Sequence, residues 1–249
     1  MENKKRVRIG LLIGGGVLFL GLAVLAGLFY NGILRFHYPS RERYPIRGVD
    51  VSAYQGEIDW SVLATQDIRF AFIKATEGSG FTDRMFAANW EGAKRAGLRV
   101  GAYHFFSFDS GGDTQADRFI AEVEKTEGML PPVVDVEFYG DKEARPPAKE
   151  DVQRELGVLL ARLEEAYGAK PILYATGKSY ERYLKDAYPE NPIWIRNIVS
   201  EPRLPDGRDW TFWQYTDRAR LPGYQGEERF IDLNVFAGSE EAFLSFGLS

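Results

Sequence analysis

Pro131-Pro132-Val133-Val134-Asp135-Val136-Glu137-Phe138 places two carboxylates two residues apart in an otherwise apolar run. Residues i and i+2 of a strand project from one face, so Asp135 and Glu137 stand side by side. Burial and mutual repulsion both raise carboxyl pKa values. Such a pair therefore fits one group kept protonated near neutral pH beside one kept ionised, the equipment of a glycosidase. Taken alone it also fits a strand end leaving a sheet, with both acids solvated or paired to arginine.

Outward from this run, β-rich stretches at 47–52, 70–75, 99–106, 132–138 and 171–175 alternate with helical patterns near 59–65, 84–96, 113–127 and 149–167. That alternation is the pattern of a parallel barrel or a doubly wound sheet. Gly97 and Gly128 fall where helix C-termini need a left-handed residue. Three further strands, 192–196, 210–215 and 229–236, follow with connections rich in Pro, Gly and Asp that are too short for an ordinary helix. The expected fold is α/β, an irregular TIM-like (β/α)5(β)3 barrel over residues 46–249.

In such a barrel the active site forms at the C-terminal rim of the strands. Asp50 closes the first strand in Gly-Val-Asp-Val-Ser, Asp135 and Glu137 close the fourth, and Asp232 lies in the eighth within Phe-Ile-Asp-Leu-Asn. Singly, Asp50 or Asp232 reads equally well as a turn former. Their joint placement favours a site. Tyr54, Tyr103, Phe105, Tyr174, Trp194, Trp213, Gln214 and Tyr215 are expected on the same rim. Aromatic rings cover the apolar faces of sugars, although each ring also fits plain core packing. His104 should point away from Tyr103 as a satisfied barrel histidine rather than a base.

The N-terminus is a different physical object. Lys4, Lys5, Arg6 and Arg8 precede 22 uncharged residues, 9–30, which as a helix would span about 33 Å, enough to cross a bilayer. The basic residues 1–8 are expected in the cytoplasm, residues 31–45 as a juxtamembrane linker, and the barrel outside the membrane. A cleaved signal with Val24-Leu25-Ala26 at its processing site is the rival reading. The apolar stretch is longer than a usual signal core and continues through Leu28, Phe29, Ile33 and Leu34.

Residues 1–47 hold eight Lys/Arg against Glu2 and Glu42, so a whole-chain charge of −5 leaves −11 for residues 48–249. An acidic outer domain argues against nucleic acid as a partner. With no Cys and two His, disulfides and thiolate or imidazole metal sites drop out. An all-carboxylate calcium or magnesium site stays open. No cofactor is expected, and a monomer is.

Taken together, Gly48-Val-Asp-Val-Ser52, Gln55-Gly-x-Ile-Asp-Trp60, Phe72-Ile-Lys-Ala-Thr-Glu-Gly78, Gly101-Ala-Tyr-His-Phe105, Asp135-Val-Glu137 and Trp213-Gln-Tyr215…Asp232 resemble glycoside hydrolase family 25. These are the Chalaropsis-type lysozymes, or N-acetylmuramidases. Family 18 chitinases also carry D-x-E on the fourth strand, but extend it upstream with acids where this chain has Leu130 and Val133. The resemblance implies cleavage of the β-1,4 bond between N-acetylmuramic acid and N-acetylglucosamine in peptidoglycan. It casts Glu137 as proton donor and Asp135 as the group that holds the substrate's acetamido function, with Asp50 and Asp232 completing the acidic floor. One departure stands out. The family pattern Trp-Ile-Ala-x-Tyr reads here Trp194-Ile-Arg-Asn-Ile198, so Arg196 sits where a small residue is expected. The rival functions are a non-catalytic glycan-binding barrel and a glycosidase acting on another N-acetylated glycan.

Overall fold

The structure, a computed structural model, describes residues 2–248. Helix α1, Glu2–Tyr30, starts seven residues before the expected span. Its apolar part, Leu12–Tyr30, has a mean hydropathy of 2.4 and none of it is buried against the rest of the chain. An apolar helical span with none of its length buried is suited to lipid.

Eight strands close into a barrel: β1 (Arg47–Val51), β2 (Phe70–Glu77), β3 (Arg99–Phe105), β4 (Val133–Val136), β5 (Ile172–Thr176), β6 (Ile193–Arg196), β7 (Phe212–Ala219) and β8 (Ile231–Phe236). Neighbours from β1 to β7 pair in parallel. β8 runs antiparallel to both β7 and β1 and closes the ring. Helices α2 (Trp60–Ala64), α3 (Phe86–Arg95), α4 (Gly112–Glu122) and α5 (Lys149–Tyr167) follow the first four strands. After β5 comes only α6, Gly177–Ser179, running into a π turn at Tyr180–Leu184. No helix lies between β6 and β7 or between β7 and β8, so the irregular (β/α)5(β)3 expectation holds with a stunted fifth unit. A last helix, α7 (Glu240–Ser245), follows β8.

Helix α4 stops five residues short of its expected end. Val123 turns extended, at φ −109° and ψ 102°, its side chain enters the core, and its carbonyl accepts the Tyr167 hydroxyl at 2.6 Å. Gly97 does end α3 in a left-handed conformation, whereas Gly128, also left-handed, lies in the loop beyond α4.

Strand alternation divides the apolar residues into two layers. Ala71, Ile73 and Ala75 of β2 face the helices, while Phe70 and Phe72 enter the barrel with Phe212, Trp194, Tyr174 and Phe236. The large rings fit because glycines stand opposite them. A Cβ on Gly48 would lie 2.4 Å from the Phe70 ring, and one on Gly101 2.7 Å from that of Phe72. The lower barrel is thus a plug of rings, with Phe70 and Phe212 at 5.3 Å and Phe72 stacked on Trp194 at 4.5 Å. Polar groups collect above the plug, at the mouth.

Residues 31–45, expected as a linker, are packed against the barrel wall. Tyr44 is buried beside Trp210 and Trp213, His37 lies 5.1 Å from Trp213, and Arg47 donates to the Pro39 carbonyl at 2.6 Å.

Candidate active site

The same alternation that buries the rings delivers the acids. Asp50 lies two residues beyond inward-facing Gly48, Asp135 two beyond Val133, and Glu137 two further on, past the end of β4. Asp232 reaches the mouth by a different route. It stands near the start of β8, and only because β8 runs antiparallel does it sit opposite Asp50 in register. All four carboxylates predicted from sequence therefore meet at one rim.

Two amides hold the first pair. Gln214 Nε2 lies 3.0 Å from Asp50 Oδ2 and 2.8 Å from Asp232 Oδ2, and Asn234 Nδ2 donates to Asp50 at 2.7 Å. Each amide is oriented from below by a group that can only donate or prefers to: Tyr174 gives its hydroxyl proton to Gln214 Oε1 at 2.9 Å, and the Trp194 indole gives its N–H to Asn234 Oδ1 at 2.8 Å. Tyr174 and Trp194 are thus buried beneath the acids rather than open to a sugar. Burial raises the Asp50 carboxyl above its ordinary range, although the donors oppose it. Burial and the charge of Asp50 raise Asp232 well above, so the two carboxyls share a proton.

The second pair is differently placed. Asp135 is 7% exposed, and its Oδ1 is buried with no hydrogen-bond partner. Burial first, then the charge of Glu137, raises it well above the carboxylate range, with Lys74 opposing. Glu137 is raised by burial, with Arg196 the first of the charges that pull it back. Two such neighbours hold their protons jointly. The Tyr103 hydroxyl, pushed up by burial and then by Asp50, Asp135 and Asp232, stays protonated among them.

Two grooves lead into this mouth. One, of about 860 Å³, is lined by Asp50, Asp232, Tyr103 and Tyr54; the other, of about 750 Å³, by Tyr54, Lys74, Glu77, Phe81 and Phe105. Tyr54, 65% exposed on the turn after β1, belongs to both, as does Glu227. Asp135 and Glu137 line neither groove. Tyr54, Tyr103 and Phe105 therefore line these grooves.

Trp213 and Tyr215 do not. Gln214 between them faces inward, so both face outward: Trp213 is fully buried under Tyr44 and Trp210, and the Tyr215 hydroxyl accepts from Arg47. Lys74, Asn234 and Arg196 join the site without standing among the residues expected from sequence. Each stands two residues beyond an inward-facing neighbour, Phe72, Asp232 or Trp194, and that alternation is the signal that finds them. Lys74 Nζ lies 2.7 Å from Glu77 and 4.9 Å from the centre of the Phe105 ring. Arg196 pairs with Asp217 at 2.5 Å. His104 faces away from the site, bonded to Thr76 at 2.7 Å and Gln115 at 2.9 Å. Burial pushes it down to about 4, and it is neutral. Among the described residues no three His, Cys, Asp or Glu side chains are grouped to hold a metal ion.

A (β/α)5(β)3 barrel whose mouth gathers buried, proton-sharing carboxylates under an aromatic-lipped cleft defines a glycoside hydrolase. The sequence matches Glycosyl hydrolases family 25 over residues 49–224, and the chain belongs to that family. A solved family 25 glycosyl hydrolase from Bacillus anthracis is 55% identical, covers 86% of this chain and 98% of its own, and superposes with a TM-score of 0.82. Lysozyme M1 of Streptomyces globisporus is 32% identical over 80% of this chain and 70% of its own. The uncharacterized protein YegX of Escherichia coli K12 is 35% identical over 87% of this chain and 79% of its own. The chain is accordingly a glycoside hydrolase, of the family through which it resembles lysozyme M1.

Proposed function

We propose that this hydrolase cuts the β-1,4 bond between N-acetylmuramic acid and N-acetylglucosamine, with Glu137 as proton donor and Asp135 holding the substrate's acetamido group. The observation that carries this division is the buried, unpartnered Asp135 Oδ1 beside Glu137. An unpaired buried acceptor is unfavourable until a donor arrives, and an acetamido N–H is such a donor. Its hydrogen bond favours the ionised form of Asp135. The proton shared by the pair then settles on Glu137, where the leaving oxygen needs it. Ionised Asp135 stabilises the positive charge that develops as the acetamido carbonyl attacks the anomeric carbon. Asp50 and Asp232, tied by Gln214 and Asn234, complete the acidic floor, while Tyr54, Tyr103 and Phe105 supply the apolar faces and polar edges for sugar rings. One copy of the chain carries every group, so a monomer suffices.

In the same reading residues 9–30 span the cytoplasmic membrane, residues 1–8 remain inside, and residues 46–249 work outside on the wall. The basic flank and the unburied apolar helix support this orientation.

The bond is tested by digesting purified peptidoglycan, reducing the products with borohydride and analysing the sugars. Reduced N-acetylmuramic acid at the new ends is the expected result, and reduced glucosamine would contradict it. Walls with de-N-acetylated muramic acid should resist. The lost carbonyl is an internal attacker whose effective molarity can reach about 10⁵ M or more. Full activity on such walls would leave Asp135 without the proposed role.

A further inference from the structure

The end of α1 does not swing free of the barrel. Arg218, on β7, donates from Nη1 to the Tyr30 carbonyl at 2.9 Å, and Arg220 donates to Asn31 Oδ1 at 3.3 Å. The guanidinium carbons of Arg218 and Arg229 lie 5.2 and 5.4 Å from the centre of the Tyr30 ring, within the range of cation–π attraction. Gly32, at φ +68°, packs directly on the Arg218 carbonyl, where a Cβ would come within 1.9 Å of the oxygen. Phe36 folds back to stack on Phe29 at 4.4 Å, and residues 37–44 continue along the barrel wall to the buried Tyr44. Tyr30, the last residue of the apolar helix, also lines the 860 Å³ groove that contains Asp50, Asp232 and Tyr103. The acid rim and the membrane end of the helix thus share one groove.

We propose that this clasp fixes the cleft at the membrane surface, so that the enzyme acts on glycan strands tethered to the membrane in preference to wall material further out. The proposal rests on the anchored-muramidase reading above. A flexible tether would let the barrel sample a shell set by tether length, whereas a rigid strut gives one height and a high effective concentration only for substrate at that height. The cations at the clasp contact the Tyr30 carbonyl, the Asn31 side chain and the Tyr30 ring, all outside the acid pairs. Breaking the clasp should therefore leave the chemistry intact and change only where it is applied.

The chain has no cysteine, so one introduced thiol reports one position. The full chain carrying Glu227→Cys, at the cleft, or Glu241→Cys, on α7, is labelled with a donor fluorophore. It is then reconstituted in phosphatidylcholine vesicles containing a headgroup-labelled acceptor lipid. Energy transfer should be several-fold stronger from the cleft label. It should fall towards the α7 value in Gly32→Val and in a chain with ten Gly/Ser residues inserted after Leu34. In parallel, both altered chains should cleave a lipid-tethered muramyl glycan in the same vesicles about tenfold more slowly, and cleave the same glycan free in solution within twofold of the parent. Cleavage of the free glycan also verifies folding, and the spacer chain makes the test independent of Gly32→Val. Equal transfer from the two labels in vesicle-retained protein, or no loss on tethered glycan with the spacer, would overturn the clasp proposal alone. Release of the parent chain from vesicles by alkaline wash would overturn the anchor, and this inference with it. Absence of cleavage of either glycan by the parent would overturn the muramidase reading while the fluorescence still reported the geometry.

Discussion

Asp135 is the residue on which the chemistry turns, because its Oδ1 is buried without a donor. Its folded pKa is raised by burial and by Glu137, so the folded protein binds a proton there that the unfolded chain releases at about pH 4. Stability from such a group is fully present below the unfolded value and is lost as pH rises through the raised folded one. The same sign applies to Asp50, Glu137 and Asp232, all raised chiefly by burial. Asp135→Asn should therefore melt at a higher temperature than the parent at pH 8, with the difference shrinking towards pH 4, while cleaving wall more slowly. Thermal denaturation across pH checks this, and a lower melting temperature at pH 8 would contradict it. Arg196 makes a second residue-scale prediction. It is the strongest of the charges favouring ionised Glu137, so Arg196→Met should let Glu137 keep its proton to higher pH. The alkaline limb of kcat/KM, where the acid is lost, should move upward; an unmoved or lowered limb would remove Arg196 from that role.

The acids were legible in the sequence only through their joint placement at strand ends, since D-x-E alone also fits a strand end with solvated or paired acids. The aromatics were less so, since a sugar platform and a core ring have the same composition. Strand alternation separates them only when the register is known: inward Gln214 forces Trp213 and Tyr215 out under Tyr44, and inward Trp194 and Tyr174 lie too deep to meet a sugar.

At the scale of elements, the eight strands are readable from their apolar runs and turn residues, but the direction of β8 is not. Direction depends on pairing partners, and here it carries Asp232 from a strand start to the catalytic rim. The stunted unit after β5, Gly177–Ser179 and the π turn after it, was likewise not legible, because Gly177 and Ser179 are poor helix formers and leave too short a pattern to place a helix. The glycines of β1 and β3 give the element-scale test. Gly48→Ala would set a methyl 2.4 Å from the Phe70 ring, and overpacking of this kind destabilises by about 1–3 kcal/mol. Chemical denaturation should find that loss; a change below about 0.5 kcal/mol would mean that the ring plug is looser than described.

In the whole molecule an acidic barrel follows an unburied apolar helix behind four cations. The full-length chain should stay in the membrane fraction with its C-terminus outside and migrate at the size of the whole sequence. A soluble product beginning near Gly27 would instead mark a cleaved signal. The central claim, that Glu137 supplies the proton that breaks the glycosidic bond, is tested most directly by Glu137→Gln. Gln matches Glu in shape and cannot give a carboxylic proton. The rate of new reducing ends from purified peptidoglycan should fall about 10²-fold or more, with melting temperature and glycan binding retained. A rate within a few-fold of the parent would contradict the account.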